Sequence, residues 1–372
     1  MKAESSLYIH VPFCSSLCDY CDFYSVVPDN AAGNMLMDNY IKAVIEDIKF
    51  QIEFFNISSI PTAYIGGGTP SVLGGQRLGI LFKFLNSIAA FSPKELTIEA
   101  NPESITEEIL SVCREGGVNR ISLGVQSFHE PSLRAVNRCK TELTLVSQFF
   151  PGAFSADIIT GLPFQTKETV QSDIDRLLSF APDHVSLYSL SVEDGTPLEK
   201  KIIAKNIFVP DAGEADELWL VGFSALQKAG FEHYEVSNFS LPGKRCLHNI
   251  RYWQMENWLG VGPAASGTII NGETATAKRF SFAPDVNAYI KSPSIHSAVC
   301  EILDRTTLLK ETLLMGYRYV EGPDREKFKR RFGCTIEDCI GKTLARWEGR
   351  EIMLFLNSFL SEAFLEAETC TF

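Results

Sequence analysis

Cys14, Cys18 and Cys21 sit on one short loop, separated by three and then two residues, in the stretch SLYIHVPFCSSLCDYCDFYS. An odd number of thiols on so tight a loop does not make a disulfide staple. Three thiolates in one place suit a soft metal centre. A lone zinc ion would want a fourth protein ligand, and no nearby Cys or His supplies one. Iron–sulfur clusters are held by cysteine thiolates. A four-iron cluster on three cysteines keeps one iron open, and an open metal position is where chemistry can happen.

Other residue types invite a chemical reading. Gly66-Gly-Gly-Thr-Pro70 lies between an expected strand and an expected helix. Glycines there let the backbone approach a polar ligand, although a plain turn explains the run equally well. Glu99 ends a strand, where a carboxylate can accept hydrogen bonds from an ammonium or a ribose; its bland reading is a solvated strand end. The planar charged fork of Arg138 suits a carboxylate. In His248-Asn-Ile-Arg-Tyr252-Trp253 a histidine of the kind that ligates haem iron stands beside two flat aromatic side chains. Cys246 is close enough to add a ligand or an anchor, but a buried thiol is the commoner case. His129, His184, His233 and His296 read as satisfied core or surface groups. Cys113, Cys139, Cys300, Cys334, Cys339 and Cys370 read as packing thiols. Tyr8 and Tyr20, taken alone, read as core.

The elements that must position these groups alternate. Strands are expected at 7–11, 62–66, 95–100, 120–125, 155–161 and 184–190. Helices are expected at 36–55, 76–90, 106–116, from Pro131 onward and at 169–180. Six such alternations predict a parallel sheet of βαβ units. The cysteines, the triple glycine, Glu99, Gln126 and Asp157 then fall at or beyond strand C-terminal ends, where barrels of this kind carry their sites. Beyond residue 190 a helix at 211–230 and an edge strand at 231–239 are expected, and from about 283 the pattern is helical.

With 45% hydrophobic and 22% charged residues the composition is that of a globular protein of about two domains. No apolar run is long enough to span a bilayer, and the N-terminus reads as a strand and not a signal peptide. A cytoplasmic location follows, with ten reduced cysteines. The net charge of −12 opposes nucleic acid as a partner. The basic run at 327–331 reads as a solvated helix face.

Cys-x3-Cys-x2-Cys after the first strand resembles the radical S-adenosylmethionine (SAM) superfamily. The run from Tyr8 to Cys14 narrows the resemblance to the oxygen-independent coproporphyrinogen III oxidase-like group. The resemblance implies a partial (βα)6 barrel at residues 1–270, holding a [4Fe–4S] cluster and a haem-binding segment. A small, mostly helical C-terminal domain would occupy residues 271–372. It implies Cys14, Cys18 and Cys21 as cluster ligands and SAM chelating the open iron. Tyr8, Tyr20, Gly67, Gly68, Thr69, Glu99, Gln126, Arg138 and Asp157 would contact SAM. Gln126 lies in Gly124-Val-Gln-Ser-Phe128, which resembles the group's GVQSF; Asp157 opens a stretch resembling DLIYGLP. The sequence departs from the group at Arg138-Cys-Lys140, where Arg-x-His is common, and in a short segment after it.

Two functions fit. One is a coproporphyrinogen oxidase that abstracts hydrogen from propionate side chains. The other resembles the group's haem-chaperone branch, which binds haem and hands it to an apo-haemoprotein without the oxidase reaction. Three features favour the chaperone: Phe23 stands where the oxidases carry a further cysteine; the first strand begins only a few residues into the chain; and HNxxYW resembles the branch's haem-binding segment. His248, Tyr252 and Trp253 would then contact haem. The expected partners are haem, an apo-haemoprotein acceptor and a reductant for the cluster, with a homodimer allowed. No catalytic residue is assigned for an oxidase reaction.

Overall fold

The computed structural model describes residues 3–138, 143–350 and 352–367. Cys139, Lys140 and Cys370 lie outside them. Strands β1 (Ser6–Val11), β2 (Ile57–Gly67), β3 (Phe91–Ala100), β4 (Arg120–Gln126), β5 (Phe154–Thr160) and β6 (His184–Ser189) pair side by side, all parallel and in chain order. Helices α1 (Asn30–Phe54), α2 (Gly74–Ser87), α3 (Glu107–Glu115), α4 (Glu130–Ala135), α5 (Thr144–Phe149) and α6 (Lys167–Leu178) fill the crossovers. Local chemistry starts them. Thr106 caps α3 by accepting from Ile109 N, with Glu107 and Glu108 in the first turn, where the helix dipole favours them.

The strands alternate strictly. One face is apolar: Leu7, Ile9, Val11, Ala63, Ile65, Leu96, Ile98, Ile121, Leu123, Phe154, Ala156, Val185 and Leu187 are buried in the main core. The other face is polar and equally enclosed, with Ser6, His10, Thr62, Glu95, Arg120, Ser155, His184 and Ser186 all buried. Parallel sheets ordinarily bury apolar residues on both faces. Here side chains from β2 to β6 line one shared cavity, so the polar face is the inside of a curled sheet. Burying hydroxyls and charges is tolerated because they bond to one another.

The sheet stays open. Past β6 come α7 (Pro197–Ile203), α8 (Ala212–Lys228), β7 (Asn238–Ser240) and α9 (Leu247–Trp253). Strand β8 (Trp258–Val261) returns to pair parallel with β1 at the opposite edge. Antiparallel strands β9 (Ser266–Asn271), β10 (Thr276–Ser281) and β11 (Val299–Leu303) extend that edge. Helix α10 (Val286–Lys291) packs beside α1. Helices α11 (Arg305–Gly316), α12 (Arg325–Phe332), α13 (Ile336–Arg346) and α14 (Leu356–Ala367) enclose a second apolar core around Phe328, Phe332, Ile340 and Phe359.

Three local expectations change. The edge strand at 231–239 is two short strands, Glu232–His233 and β7, paired antiparallel. The chain is diverted between them because Val236 N bonds to Arg318 O. Strand β8 is hidden in an aromatic and glycine-rich stretch. Its Gly260 is required, since a Cβ there would lie 2.1 Å from Ser266 O. Within the region expected to be helical, β11 forms an edge strand with Val299 and Ile302 exposed, so it offers no alternation to read.

Candidate functional site

The cysteine loop leaves the C-terminal end of β1. It is held by the glycine turn after β2: Gly68 N donates to Val11 O (2.8 Å) and Thr69 N to Phe13 O (2.7 Å). Gly68 has to be glycine, because a Cβ there would lie 2.7 Å from Phe13 O and 3.1 Å from Cys14 Sγ. The far side of the loop is tied to α4 and α7, as Asp19 N bonds to Val136 O, Leu198 N bonds to Asp19 O and Lys201 pairs with the Asp19 carboxylate.

All three sulfurs are acceptors, Cys21 from the Phe23 backbone amide. Thr69 Oγ1 donates to Cys14 Sγ (3.5 Å) and Arg138 to Cys18 Sγ (3.4 Å). Burial pushes the Cys21 thiol up to about 11, and its neighbours Cys18, Cys14 and Asp22 add to the rise. The thiols are therefore electrostatic neighbours that a metal would have to deprotonate. Among the described residues no three or more Cys, His, Asp or Glu side chains close around one point as a metal-ion cage. A cluster does not need that, since each cysteine binds a different iron. The hydrogen bonds to sulfur are of the kind that tune cluster potential. The three residues fit a cluster better than a single ion.

Beside the loop, polar side chains converge on Gly124. Arg138 donates to Gly124 O (2.5 Å) and Asn101 Oδ1 (2.7 Å), and Asn101 Nδ2 donates to Thr69 Oγ1 (3.0 Å). A Cβ on Gly124 would meet Arg138, Gln126 Nε2 and Asn101 Oδ1 at 2.8–3.1 Å. Gln126 takes a left-handed φ of 68° at a register shift between β4 and β5, which lets its side chain reach this group. Glu99 accepts from Tyr64 Oη (2.7 Å) and Gly67 N (3.0 Å). Burial raises its pKa to about 7, with the charge of Asp157 contributing. Burial likewise raises Asp157 to about 6. Tyr8 bonds to His10 Nδ1 (3.0 Å), and Tyr20 shares a hydrogen bond with Cys18. Tyr20, Gly67, Gly68, Thr69, Gln126 and Arg138 thus gather around the cysteine loop and Glu99 reaches them through Gly67, whereas Tyr8 bonds His10 within β1 and Asp157 lies deeper, lining the interior cavity with Glu99, Arg120, His184 and Cys246. Asn101, which joins Arg138 to Thr69, was missed; its signal is an amide at the end of β3, just before Pro102.

His248 is elsewhere. Helix α9 closes the opposite end, at the N-termini of the strands. The ring is 1% exposed, and both nitrogens are engaged, Nδ1 with Thr62 Oγ1 (3.0 Å) and Nε2 with Tyr252 Oη (3.1 Å). Burial lowers its pKa to about 3. Glu95 receives the first turn of α9: Cys246 Sγ (3.3 Å), Leu247 N (2.8 Å) and His248 N (2.9 Å) all donate to its carboxylate. Trp253 lies beneath Arg318 (5.8 Å), and its Nε1 is buried with no partner in the protein. In this conformation His248 does not fit as an axial ligand, because neither nitrogen faces open space. Cys246 is buried and bonded, as the commoner reading had it. Glu95 and Thr62 were missed; both are polar residues of the enclosed face, recognisable only once the alternation is read as a polar interior.

The radical SAM superfamily model matches residues 8–177. The heme chaperone HemW of Lactococcus lactis is 33% identical over 361 residues, covering 95% of this chain and 92% of that one. The chain belongs to the HemW family of radical SAM proteins. HemW from Escherichia coli is 33% identical over 277 residues, covering 71% of this chain and 70% of its own. A mouse relative, radical S-adenosyl methionine domain-containing protein 1, mitochondrial, is 30% identical over 331 residues, 85% of this chain and 74% of that one. Among solved structures, the E. coli coproporphyrinogen III oxidase HemN superposes with a TM-score of 0.76 at 18% identity, covering 99% of this chain and 91% of that one. That likeness bears on the fold, which is the expected open radical SAM barrel with a mostly helical C-terminal region. Membership in the HemW family implies a [4Fe–4S] cluster and SAM as cofactors. Among the described residues no helix is long and apolar enough to cross a membrane.

Proposed function

We propose that this chain is a haem chaperone, which binds haem and passes it to an apo-haemoprotein, and that it carries a SAM-coordinated [4Fe–4S] cluster. The observation that carries the reading is 33% identity to a protein named a heme chaperone across 95% of this chain. Cys14, Cys18 and Cys21 hold the cluster. Gly67, Gly68, Thr69, Glu99, Gln126, Arg138 and Asp157, with Tyr8 and Tyr20, hold SAM. The cluster, when bound, supplies one-electron reducing chemistry. Arg138 orients the SAM carboxylate while bracing Cys18, and Glu99 with Asp157 offers acceptors inside a water-poor barrel. Haem belongs to the α9 segment, through His248, Tyr252 and Trp253. All of these residues precede residue 270; residues 271–372 support α9 from outside, although β10 and β11 in that range continue the barrel's sheet.

The test is made on anaerobically reconstituted protein with SAM and a reductant. Coproporphyrinogen III should be left intact, and added haem should give a shifted Soret band. Robust decarboxylation would support the oxidase reading, which the fold likeness to HemN alone does not separate from the chaperone.

A further inference from the structure

The barrel floor is a closed, hydrogen-bonded plug. Thr62 and Tyr252 hold the His248 ring, and Tyr234 Oη accepts from Cys246 N (3.1 Å) while bonding His184 Nε2 (2.8 Å). The tie that bears on the whole first turn is Glu95. Its carboxylate, 6% exposed, collects the Cys246 thiol and the amides of Leu247 and His248. Amides bonded to a buried carboxylate are among the strong hydrogen bonds of a protein. The other end of α9 is anchored separately. Gln254 Nε2 donates to Gly322 O (2.9 Å), Arg331 donates to Met255 O (3.0 Å), and Met255 turns the chain with a left-handed φ of 47°. The first turn of the helix is thus tied to the barrel through Glu95, Tyr234 and Thr62, and its last turn to the C-terminal region and, through Arg251, to Ser6 and Glu4.

The closed state is also incompletely satisfied. Trp253 Nε1 and Arg251 Nη2 are buried with no partner in the protein. Buried donors left unpaired favour alternatives in which they are solvated or bonded. The cost falls on α9, the segment that carries the haem motif.

We infer that Glu95 is the latch of the haem segment: His248 becomes available to iron only when the first turn of α9 leaves the Glu95 carboxylate and pivots about its anchored C-terminal end. The inference rests on the proposed role of His248 and adds to it a positioning residue, Glu95, which touches no haem. The latch sits on β3, four residues before Glu99, so the strand that bears a SAM-site carboxylate also bears the catch on α9.

The test compares the wild-type protein with Glu95→Gln, Glu95→Cys and His248→Ala, all cluster-loaded and anaerobic. Hydrogen exchange is first measured without haem. The amides of Leu247 and His248 should exchange about tenfold faster in Glu95→Gln, which keeps the shape and loses the charge. Haem is then mixed in and the Soret change followed in time. The phase that His248→Ala abolishes should be faster in Glu95→Gln by a similar factor, with the same final spectrum. In Glu95→Cys, diamide should join the introduced thiol to Cys246 and suppress that phase, and a phosphine reductant should restore it. Identically treated wild-type protein serves as the control. Unchanged amide exchange in Glu95→Gln, or an undiminished His248-dependent phase in the crosslinked protein, overturns the latch. If His248→Ala and wild type bind haem alike, the ligand assignment fails. The exchange result still judges the Glu95 tie by itself.

Discussion

The two ends of this barrel use the same strands differently. At the mouth, Arg138, Asn101, Gln126, Glu99 and Thr69 converge beside three thiols on loops that vary in length and leave Cys14 and Cys21 partly exposed. At the floor, His248, Thr62, Glu95 and Cys246 are buried and bonded to one another. The mouth is a site prepared to receive ligands. The floor is closed against one and has to be opened. Both arise from one pattern, the polar alternation of β1 to β6, which gives each strand a polar residue near its start and another near its end.

Cys18→Ser should have the largest effect, with loss of the cluster's visible absorbance and paramagnetic signal while far-UV circular dichroism stays native. Retention of a full cluster would move the site off this loop. Next comes Arg138→Lys. It removes a fork that reaches Asn101, Gly124 O and Cys18 together. SAM affinity should fall about tenfold or more by calorimetry, because a point charge does not replace a planar one. The floor should not respond, and haem binding should be unchanged.

Thr62→Val makes the reverse cut. It leaves His248 Nδ1 without its partner and should cost about 1–3 kcal/mol of stability in chemical denaturation. SAM affinity should hold within twofold. Loss of SAM binding would mean that the two ends are not separable.

A further contrast is in pH, where the ends have opposite signs. Glu99 and Asp157 are raised to about 7 and about 6, so the folded, cofactor-free protein keeps protons that the unfolded chain releases first. Their contribution to stability is lost as pH rises from about 4 to about 7. His248 is lowered to about 3, so the folded protein refuses a proton that the unfolded chain accepts below about 6.5. Its contribution is lost as pH falls through that window. Melting curves should show Glu99→Gln flattening the first slope and His248→Ala the second.

Much of the mouth was legible in the sequence. The cysteine spacing, the glycine turn and strand-terminal Glu99, Gln126 and Asp157 are local signals whose position follows from βα alternation. The six core strands were legible for the same reason. The floor was not. His248 was singled out by its motif, but its partners Thr62 and Glu95 lie 186 and 153 residues away, and only the closed fold brings them together. Strand β8 was missed because its pairing with β1, Trp258 opposite Ser6, reaches back across about two-thirds of the chain, and β11 because an exposed edge strand carries no burial pattern.

A haem chaperone carries haem in order to give it away. The direct measurement loads the anaerobic, cluster-bearing protein with haem and mixes it with an apo-haemoprotein beside an equal amount of a haem-scavenging protein. The acceptor's spectrum should appear faster than from free haem, and the haem should largely escape the scavenger. Haem that stays bound, or that reaches the acceptor only as fast as it reaches the scavenger, would contradict the chaperone role.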